Sequence, residues 1–150
     1  MDNIDAKILN YIQDNPEISN VELARKLKLA ASGVLERVKK LKALGVIEKY
    51  EIKINPEKVN LKLMTFIHVE TNEPIGHSKI GQELAKIQAI QEVHLLAGEY
   101  CYLIKARVLD SKAHNLLLKE MGKIKGVKNA KTTMVLETIK ESLNLDLGNI

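Results

Sequence analysis

The chain has 150 residues, a formal net charge of +4 and 45% hydrophobic residues, of which few are aromatic. This length allows one ordinary domain or two small ones with an aliphatic core. No apolar run approaches the roughly 18 residues that span a bilayer, and the acidic first residues are unlike a secretory signal. Cys101 is the only cysteine, which excludes an intrachain disulfide. We therefore expect a cytoplasmic protein without a membrane partner.

The first predicted element is an amphipathic helix. Ile4, Ile8 and Ile12 recur every four residues, which places them on one helical face. The helix is expected to stop near Asn15-Pro16, because the residue before proline is disfavoured in a helix. This helix is predicted to pack behind the two that follow.

Two short helices joined by a tight turn come next. Ser19-Asn20-Val21-Glu22 has the pattern of a capping box and starts a helix from about Asn20 to Leu27. A second helix is expected to end before Gly45, with Val34, Val38 and Leu41 buried. This arrangement predicts a helix-turn-helix. Residues 46–54 alternate in polarity and are predicted to form a strand-like wing, so residues 1–54 are interpreted as a winged helix-turn-helix domain.

Basic residues are concentrated on this helix pair. Between Arg25 and Lys42 there are seven lysines and arginines against one acidic residue, Glu36. Such a cluster is typical of a surface that contacts DNA phosphates, although lysines on a solvated helix also serve solubility alone. The expected phosphate contacts are Arg25, Lys28, Arg37, Lys39 and Lys40. An internal ion pair of Arg37 with Glu22 or Glu48 is an equally favoured alternative.

Four further positions on the second helix are expected to face the bases. Ser32 and Glu36 are predicted to contact base edges, and Ala31 and Leu35 to contact thymine methyl groups. Because Gly33 and two alanines also occur here, direct readout is limited and sequence preference is also expected to come from DNA deformability. The predicted partner is double-stranded DNA.

The remainder, residues 55–150, is predicted to be a ferredoxin-like domain with the order β-α-β-β-α-β. The strands are expected at 62–70, 92–97, 100–109 and 127–138. The first helix should bury Ile80, Leu84, Ile87 and Ile90. The second should be capped by Asp110 or Ser111 and bury Ala113, Leu116, Leu117 and Met121. The predicted fold class is therefore α+β.

The predicted sheet carries apolar residues on both faces, while helices cover only one. A second copy of the chain is the simplest cover for the other face, which predicts a two-fold dimer. The residues expected in this dimer interface are Met64, Phe66, Met134 and Leu136.

In several segments the sequence resembles the leucine-responsive regulatory protein/AsnC family, the feast/famine transcription regulators. The similar segments are Met1 to Leu9, Glu22-Leu23-Ala24, Val34 to Leu41, Gly45 to Tyr50, Gly98 to Leu103 and Val127 to Leu136. The resemblance implies dimers that often assemble into octamers. It also implies a small amino acid as effector, bound between dimers. The effector-site residues it implies are Gly98, Glu99, Tyr100, Cys101, Tyr102 and Thr132.

Three positions depart from the family pattern. Lys28 stands where glycine is common in the turn, and Ala30 stands where serine commonly caps the second helix. Each departure costs about 1 kcal/mol if the usual geometry is kept. Cys101 stands where an aspartate is usual, and a thiol does not hold an amino group as a carboxylate does. Weak or absent binding of ordinary amino acids is therefore expected.

The sequence shows no pattern typical of catalysis or of a cofactor. The four histidines lack the spacing of a helical metal site, and no nucleophile elbow, phosphate loop or nucleotide fingerprint occurs. No enzyme activity, metal or cofactor is therefore expected. Two alternatives remain open, namely an enzyme resembling the haem-pathway decarboxylases on the same scaffold and an architectural DNA binder without an effector. Gly98-Glu99 also fits a plain hairpin turn.

Overall fold

The computed structural model describes residues 1–148 and divides the chain into two compact units. The first unit begins with three helices, α1 (Asn3–Asp14), α2 (Asn20–Leu27) and α3 (Ala31–Ala43). A complete capping box starts α1, because the Asp2 carboxylate accepts the Asp5 N–H and the Asp5 carboxylate accepts the Asp2 N–H. Helix α1 ends before Pro16, as predicted.

The three helices bury their apolar stripes against one another. Ile8, Leu23 and Val34, one from each helix, are almost fully buried at the centre of this core. The stripes of α1 and α3 are those predicted from the three- and four-residue spacing, whereas in α2 Val21 is 70% exposed rather than part of the buried stripe. The packing leaves the opposite face of α3 exposed.

The predicted strand at residues 46–54 is wrong. These residues form bends and irregular backbone rather than a strand, and Ile52 is 89% exposed. Alternating polarity indicates which side chains share a face, but a strand also requires a neighbouring strand for its backbone groups.

The second unit contains a four-stranded antiparallel sheet and two helices in the predicted order. The elements are β1 (Leu63–Thr71), α4 (Lys79–Leu84), β2 (Ile90–Leu95), β3 (Tyr102–Val108), α5 (Ser111–Met121) and β4 (Val127–Met134). The strand order in the sheet is β2-β3-β1-β4. The ferredoxin-like prediction is confirmed, with β1 and β3 at the centre.

Several boundaries differ from the prediction. Helix α4 ends at Leu84, so Ile87 is buried in a turn and Ile90 begins β2. This turn is held by backbone hydrogen bonds from Ile87 to Leu84 and from Ile90 to Ile87. Strand β4 ends at Met134 rather than near 138 and β3 is shorter than expected, whereas β2 has the expected length but lies two residues earlier in the chain. The predicted end of β4 is too late because the apolar residues Val135 and Leu136 continue the sequence pattern past the end of the strand.

The two faces of the sheet differ. Ile67, Val69 and Ile104 lie on the face that packs on α4 and α5. Met134 pairs with Thr65 and therefore lies on this same face, opposite Met64 and Phe66. Met134 is consequently not part of one patch with Met64 and Phe66. Leu136 lies beyond the end of the strand and is 99% exposed.

Helix α5 begins as predicted but buries a different stripe. The Asp110 carboxylate accepts the Ala113 N–H at 2.8 Å. His114, Leu117 and Met121 are buried, whereas Leu116 is 59% exposed, which corrects the prediction for Leu116. The spacing of the buried residues is that of one helical face, from which Leu116 is rotated away.

The division of the chain into units differs from the expected domains at one end. The first unit comprises Met1–Lys53 together with the residues from Lys140 onward, and the second comprises Ile54–Ile139. The expected boundary between 54 and 55 lies one residue from the first division. The assignment of all of 55–150 to one domain does not agree with this grouping. None of the helices within residues 1–148 is long and apolar enough to cross a membrane.

Candidate nucleic-acid interface and effector turn

The turn between α2 and α3 is a tight left-handed one. Lys28 caps α2 at φ 56°, and its N–H bonds to the carbonyls of Ala24 and Arg25. The Leu29 N–H also bonds to Ala24, at 2.9 Å. This is the positive φ anticipated for the position at which glycine is common, so Lys28 carries a conformational cost that glycine does not. At the other end of α2, the Ser19 hydroxyl accepts the Glu22 N–H at 3.1 Å.

Helix α3 presents its outer face to solvent. All six positions expected to face outward are exposed: Ala31, Ser32, Leu35, Glu36, Lys39 and Lys40. Ala30 precedes the helix without a capping side-chain hydrogen bond. Lys39 lies 3.8 Å from Glu36, but both side chains are well exposed, so the pair contributes little and leaves the lysine accessible. Arg25 and Lys28 are exposed as well. Their roles in DNA contact stay predictions.

Arg37 is held inside its own domain. Its Nη1 lies 2.8 Å from Asp2 and 2.7 Å from Asp5, the two residues of the α1 capping box. The predicted alternative of an internal ion pair therefore describes its geometry, although Glu22 and Glu48 were the expected partners. Hydrogen bonds to Asp2 and Asp5 raise the pKa of Arg37 above its usual value. The Asp5 N–H and then Arg37 hold the pKa of Asp2 below its usual value.

A basic groove lies between α1 and the α2–α3 turn. It has a volume of about 260 Å³ and is lined by Ile4, Lys7, Tyr11, Lys26, Leu27, Lys28 and Leu29. The ammonium of Lys26 lies 5.5 Å from the centre of the Tyr11 ring, within the range of a cation–π contact. Lys7 and Lys26 were absent from the predicted interface. Lys7 is distant from α3 in sequence, and only the packing of α1 brings it near Lys28.

The turn between β2 and β3 spans Leu96 to Cys101. It is closed by a 2.7 Å hydrogen bond from the Leu96 N–H to the Cys101 carbonyl. Gly98 has φ 140°, a conformation that favours glycine, and Glu99 is exposed. The Tyr100 ring meets His68 edge to face, with 6.4 Å between ring centres. Gly98 and Glu99 thus form an open surface turn, and Tyr100 beside them is half-buried.

Cys101 is half-buried, and Tyr102 faces the interior of its own domain. The Cys101 thiol lies 3.2 Å from the Thr71 hydroxyl. Tyr102 is buried, and its hydroxyl donates to Glu73 at 2.6 Å. A Cβ added to Gly81 would lie 2.5 Å from the Tyr102 ring, so the ring requires glycine there. Tyr102 is therefore a packing residue anchored by Glu73. Glu73 was not identified from the sequence.

The Tyr102–Glu73 contact fixes the charge state of both groups. Burial and then the hydrogen bond to Glu73 raise the pKa of Tyr102 to about 12. Burial opposes the ionisation of Glu73, but hydrogen bonds from Tyr102 and from the Ile80 N–H outweigh it and hold the pKa of Glu73 below its usual value. The pair is a neutral phenol donating to a carboxylate.

Thr132 lies apart from the β2–β3 turn. It pairs with Ile67 on the far side of β1 from β3, and its hydroxyl lies 3.1 Å from Nε2 of His114. His114 is 5% exposed, and Nδ1 of its ring has no hydrogen-bond partner among the described residues. Burial lowers the pKa of His114. A single chain therefore does not bring Thr132 and the turn into one pocket.

The other histidines are dispersed. His68 is half-buried beside Tyr100, and His94 is exposed and 3.2 Å from Glu92. Within residues 1–148, no three His, Cys, Asp or Glu side chains are placed to share a metal ion.

Comparison with known families gives a match to each half of the chain. Residues 1–48 match the winged helix-turn-helix DNA-binding family. Residues 63–145 match the Lrp/AsnC ligand binding domain. Together these domains define a DNA-binding transcription regulator with a separate ligand domain.

Similarity to individual proteins extends over nearly the whole chain. Leucine-responsive regulatory proteins of Klebsiella pneumoniae and Escherichia coli K12 are 36% identical over 148 residues, covering 97% of this chain and 90% of theirs. A transcriptional regulator of Neisseria meningitidis, solved as a complex with L-methionine, superposes with a TM-score of 0.90 at 32% identity over 98% of this chain and 97% of that one. An AsnC family regulator of Agrobacterium tumefaciens gives a TM-score of 0.91 at 25% identity over the same shares. The chain belongs to the Lrp/AsnC family of transcription regulators.

Proposed function

We propose that this regulator binds double-stranded DNA through the exposed face of α3 and assembles through its ligand domain. The observation that carries the proposal is the division of α3 into two faces. Val34, Val38 and Leu41 are buried in the three-helix core, while Lys39 and Lys40 are exposed on the other side. A helix anchored in this way can enter the major groove with its outer face directed toward the DNA.

Lys39 and Lys40 are the proposed phosphate contacts, joined by Arg25 and Lys28 at the end of α2. Arg37 has a supporting role, because its guanidinium is already bonded to Asp2 and Asp5. It ties α3 to the start of α1. Ser32 and Glu36 are the proposed contacts to base edges.

The ligand domain is proposed to respond to a small amino acid at the β2–β3 turn. The regulator of N. meningitidis and a feast or famine regulatory protein of Mycobacterium tuberculosis were both solved with L-methionine. Gly98 and Glu99 are exposed and Tyr100 is half-buried, so the turn is available to a ligand held between copies of the chain. Cys101 in place of the usual aspartate removes a charged partner for the amino group, so weak binding is proposed.

Membership of a family of transcription regulators supports a role in regulation. We propose that it acts in the cytoplasm by binding DNA, without an enzymatic step. The exposed basic face of α3 favours this function over a decarboxylase on the same scaffold.

The test measures how DNA affinity depends on salt. The double variant Lys39→Ala, Lys40→Ala should weaken binding to all sequences alike. It should flatten the slope of log K against log salt by up to about 2, because each phosphate contact releases about one counterion.

The matched control is Lys112→Ala, Lys119→Ala, which removes two exposed lysines from α5 in the ligand domain. The control should keep the slope of the unaltered protein. An unchanged slope in the α3 variant would remove these lysines from the interface.

A further inference from the structure

Residues 140–148 follow the last strand of the ligand domain but belong to the compact unit that contains the three N-terminal helices. The family model for the ligand domain extends to residue 145, which includes most of this segment. The contacts of residues 140–148 show why they belong with the helices instead.

The strongest contact is a two-point clasp between Gln13, near the end of α1, and the backbone of Leu145. The Leu145 N–H donates to Oε1 of Gln13 at 2.7 Å. Nε2 of Gln13 donates back to the Leu145 carbonyl at 3.2 Å. A primary amide has one acceptor and one donor group at the spacing of a peptide's own polar groups. Gln13 therefore takes the place of a neighbouring strand for this one residue.

Two more contacts lie on either side of the clasp. Nδ2 of Asn144 donates to Asp14 at 3.3 Å. The side chain of Leu147 packs against the apolar core of the three helices. A side chain anchored in the core beside a backbone clasp fixes both the position and the register of the segment.

The beginning of the segment is held to the end of the N-terminal stretch. Nζ of Lys53 donates to the Glu141 carbonyl at 2.9 Å and lies 3.7 Å from its carboxylate. The chain passes from one unit to the other just after Lys53 and again just before Lys140. The contact between Lys53 and Glu141 therefore holds together the two chain segments that leave the DNA-binding unit.

In the ligand domain, the same two connecting segments meet the sheet at β1 and β4, which are neighbouring strands. β1 starts at Leu63 and β4 ends at Met134, which pairs with Thr65. The Val135 N–H extends the pairing by bonding to the Met64 carbonyl at 3.0 Å. The two connections, 54–62 and 135–139, thus leave the same end of the sheet. They are fixed beside each other at both of their ends.

We propose that residues 140–148 are a strap that docks on α1 through Gln13 and completes the DNA-binding domain. The DNA-binding domain is then attached to the ligand domain by two passages of chain instead of one. The docking surface is the end of α1, and its partner is the chain's own segment.

Amide hydrogen exchange in the full chain tests the strap, because the Leu145 N–H is itself part of the clasp. In the unaltered protein this amide should exchange more slowly than that of an unstructured peptide. Gln13→Ala should speed its exchange by about tenfold, since the clasp comprises two hydrogen bonds. The matched control is Gln82→Ala, which removes an exposed glutamine from α4 and should leave Leu145 unchanged.

A second variant, ending at Ile139, tests whether the strap completes the domain. It should speed amide exchange in α1 and lower the melting temperature of the three-helix unit. Three outcomes would overturn the proposal. One is unprotected exchange at Leu145 in the unaltered protein, and another is α1 exchange that is unchanged in the shortened chain. The third is protection of Leu145 that depends on protein concentration, because the segment would then dock on another copy.

Discussion

At the scale of single residues, Cys101 most directly affects the proposed response to an amino acid. Its thiol lies beside the Thr71 hydroxyl at the end of the β2–β3 turn. Cys101→Asp should place a carboxylate there with a hydroxyl donor already in reach. We expect this change to create or tighten binding of L-methionine, because a carboxylate pairs with an ammonium group far better than a thiol does.

Calorimetry with L-methionine measures the change, and Cys101→Ser is the control that alters the thiol without adding charge. Only the aspartate variant should gain affinity. Micromolar binding by the unaltered protein, unaffected by the aspartate, would contradict the assigned role of Cys101.

His114 gives a second prediction at this scale, concerning pH. Its pKa is lowered from the ordinary value of 6.5 by burial, so the unfolded chain takes up a proton before the folded one does. Its contribution to stability is therefore complete above pH 6.5 and decreases as the pH falls below that value. We expect the melting temperature of the ligand domain to fall between neutral pH and pH 5 by an amount on the order of a few degrees.

His114→Gln should reduce this fall, because glutamine does not titrate and keeps a group that can bond to Thr132. The exposed His94 provides the control, and His94→Gln should retain the dependence. If His114→Gln showed the same fall as the unaltered protein, His114 would not be its source.

At the scale of elements, spacing predicted the helices well where one stripe is buried. Val34, Val38 and Leu41 fixed the orientation of α3, and with it the exposure of Lys39 and Lys40. The same reasoning failed at residues 46–54, because alternation carries no information about a neighbouring strand. It also failed for Leu116, because Leu116 and Leu117 are adjacent and cannot lie on the same helical face. Leu117 is buried together with His114, and Leu116 is exposed.

Contacts between elements distant in the chain were not predictable from spacing. Arg37 bonds to Asp2 and Asp5, more than 30 positions away, because α1 packs against α3. The clasp of Gln13 on Leu145 is set by the path of an irregular segment without periodicity. Similarly, the separation of Thr132 from the β2–β3 turn follows from the strand order, which the linear order of elements does not give.

At the scale of the whole molecule, the expected dimer is proposed to form through the sheet face that α4 and α5 leave uncovered. Phe66 is half-buried at its centre, with Lys105 and Thr133 as its cross-strand neighbours. Met64 is already buried in the single chain, with only 6% of its surface exposed, and its sulfur accepts a hydrogen bond from Arg107. Phe66 therefore has more apolar surface left to bury against a second copy than Met64 has.

Phe66→Asp should dissociate the expected dimer, because an unpaired carboxylate is costly in an apolar interface. Light scattering measures the assembly, and the melting temperature distinguishes dissociation from unfolding. Leu116→Asp, on the exposed side of α5, introduces the same charge on the other side of the domain and should leave the assembly intact. A stable Phe66→Asp dimer would place the interface elsewhere.

The discontinuous first unit has a consequence for protein synthesis. The ribosome releases the three helices first, yet the segment that packs on α1 follows the entire ligand domain in the chain. Since domains fold as they emerge, the sheet is complete before the DNA-binding unit receives its last part. A nascent chain therefore reaches its finished DNA-binding form only after the whole ligand domain has been made.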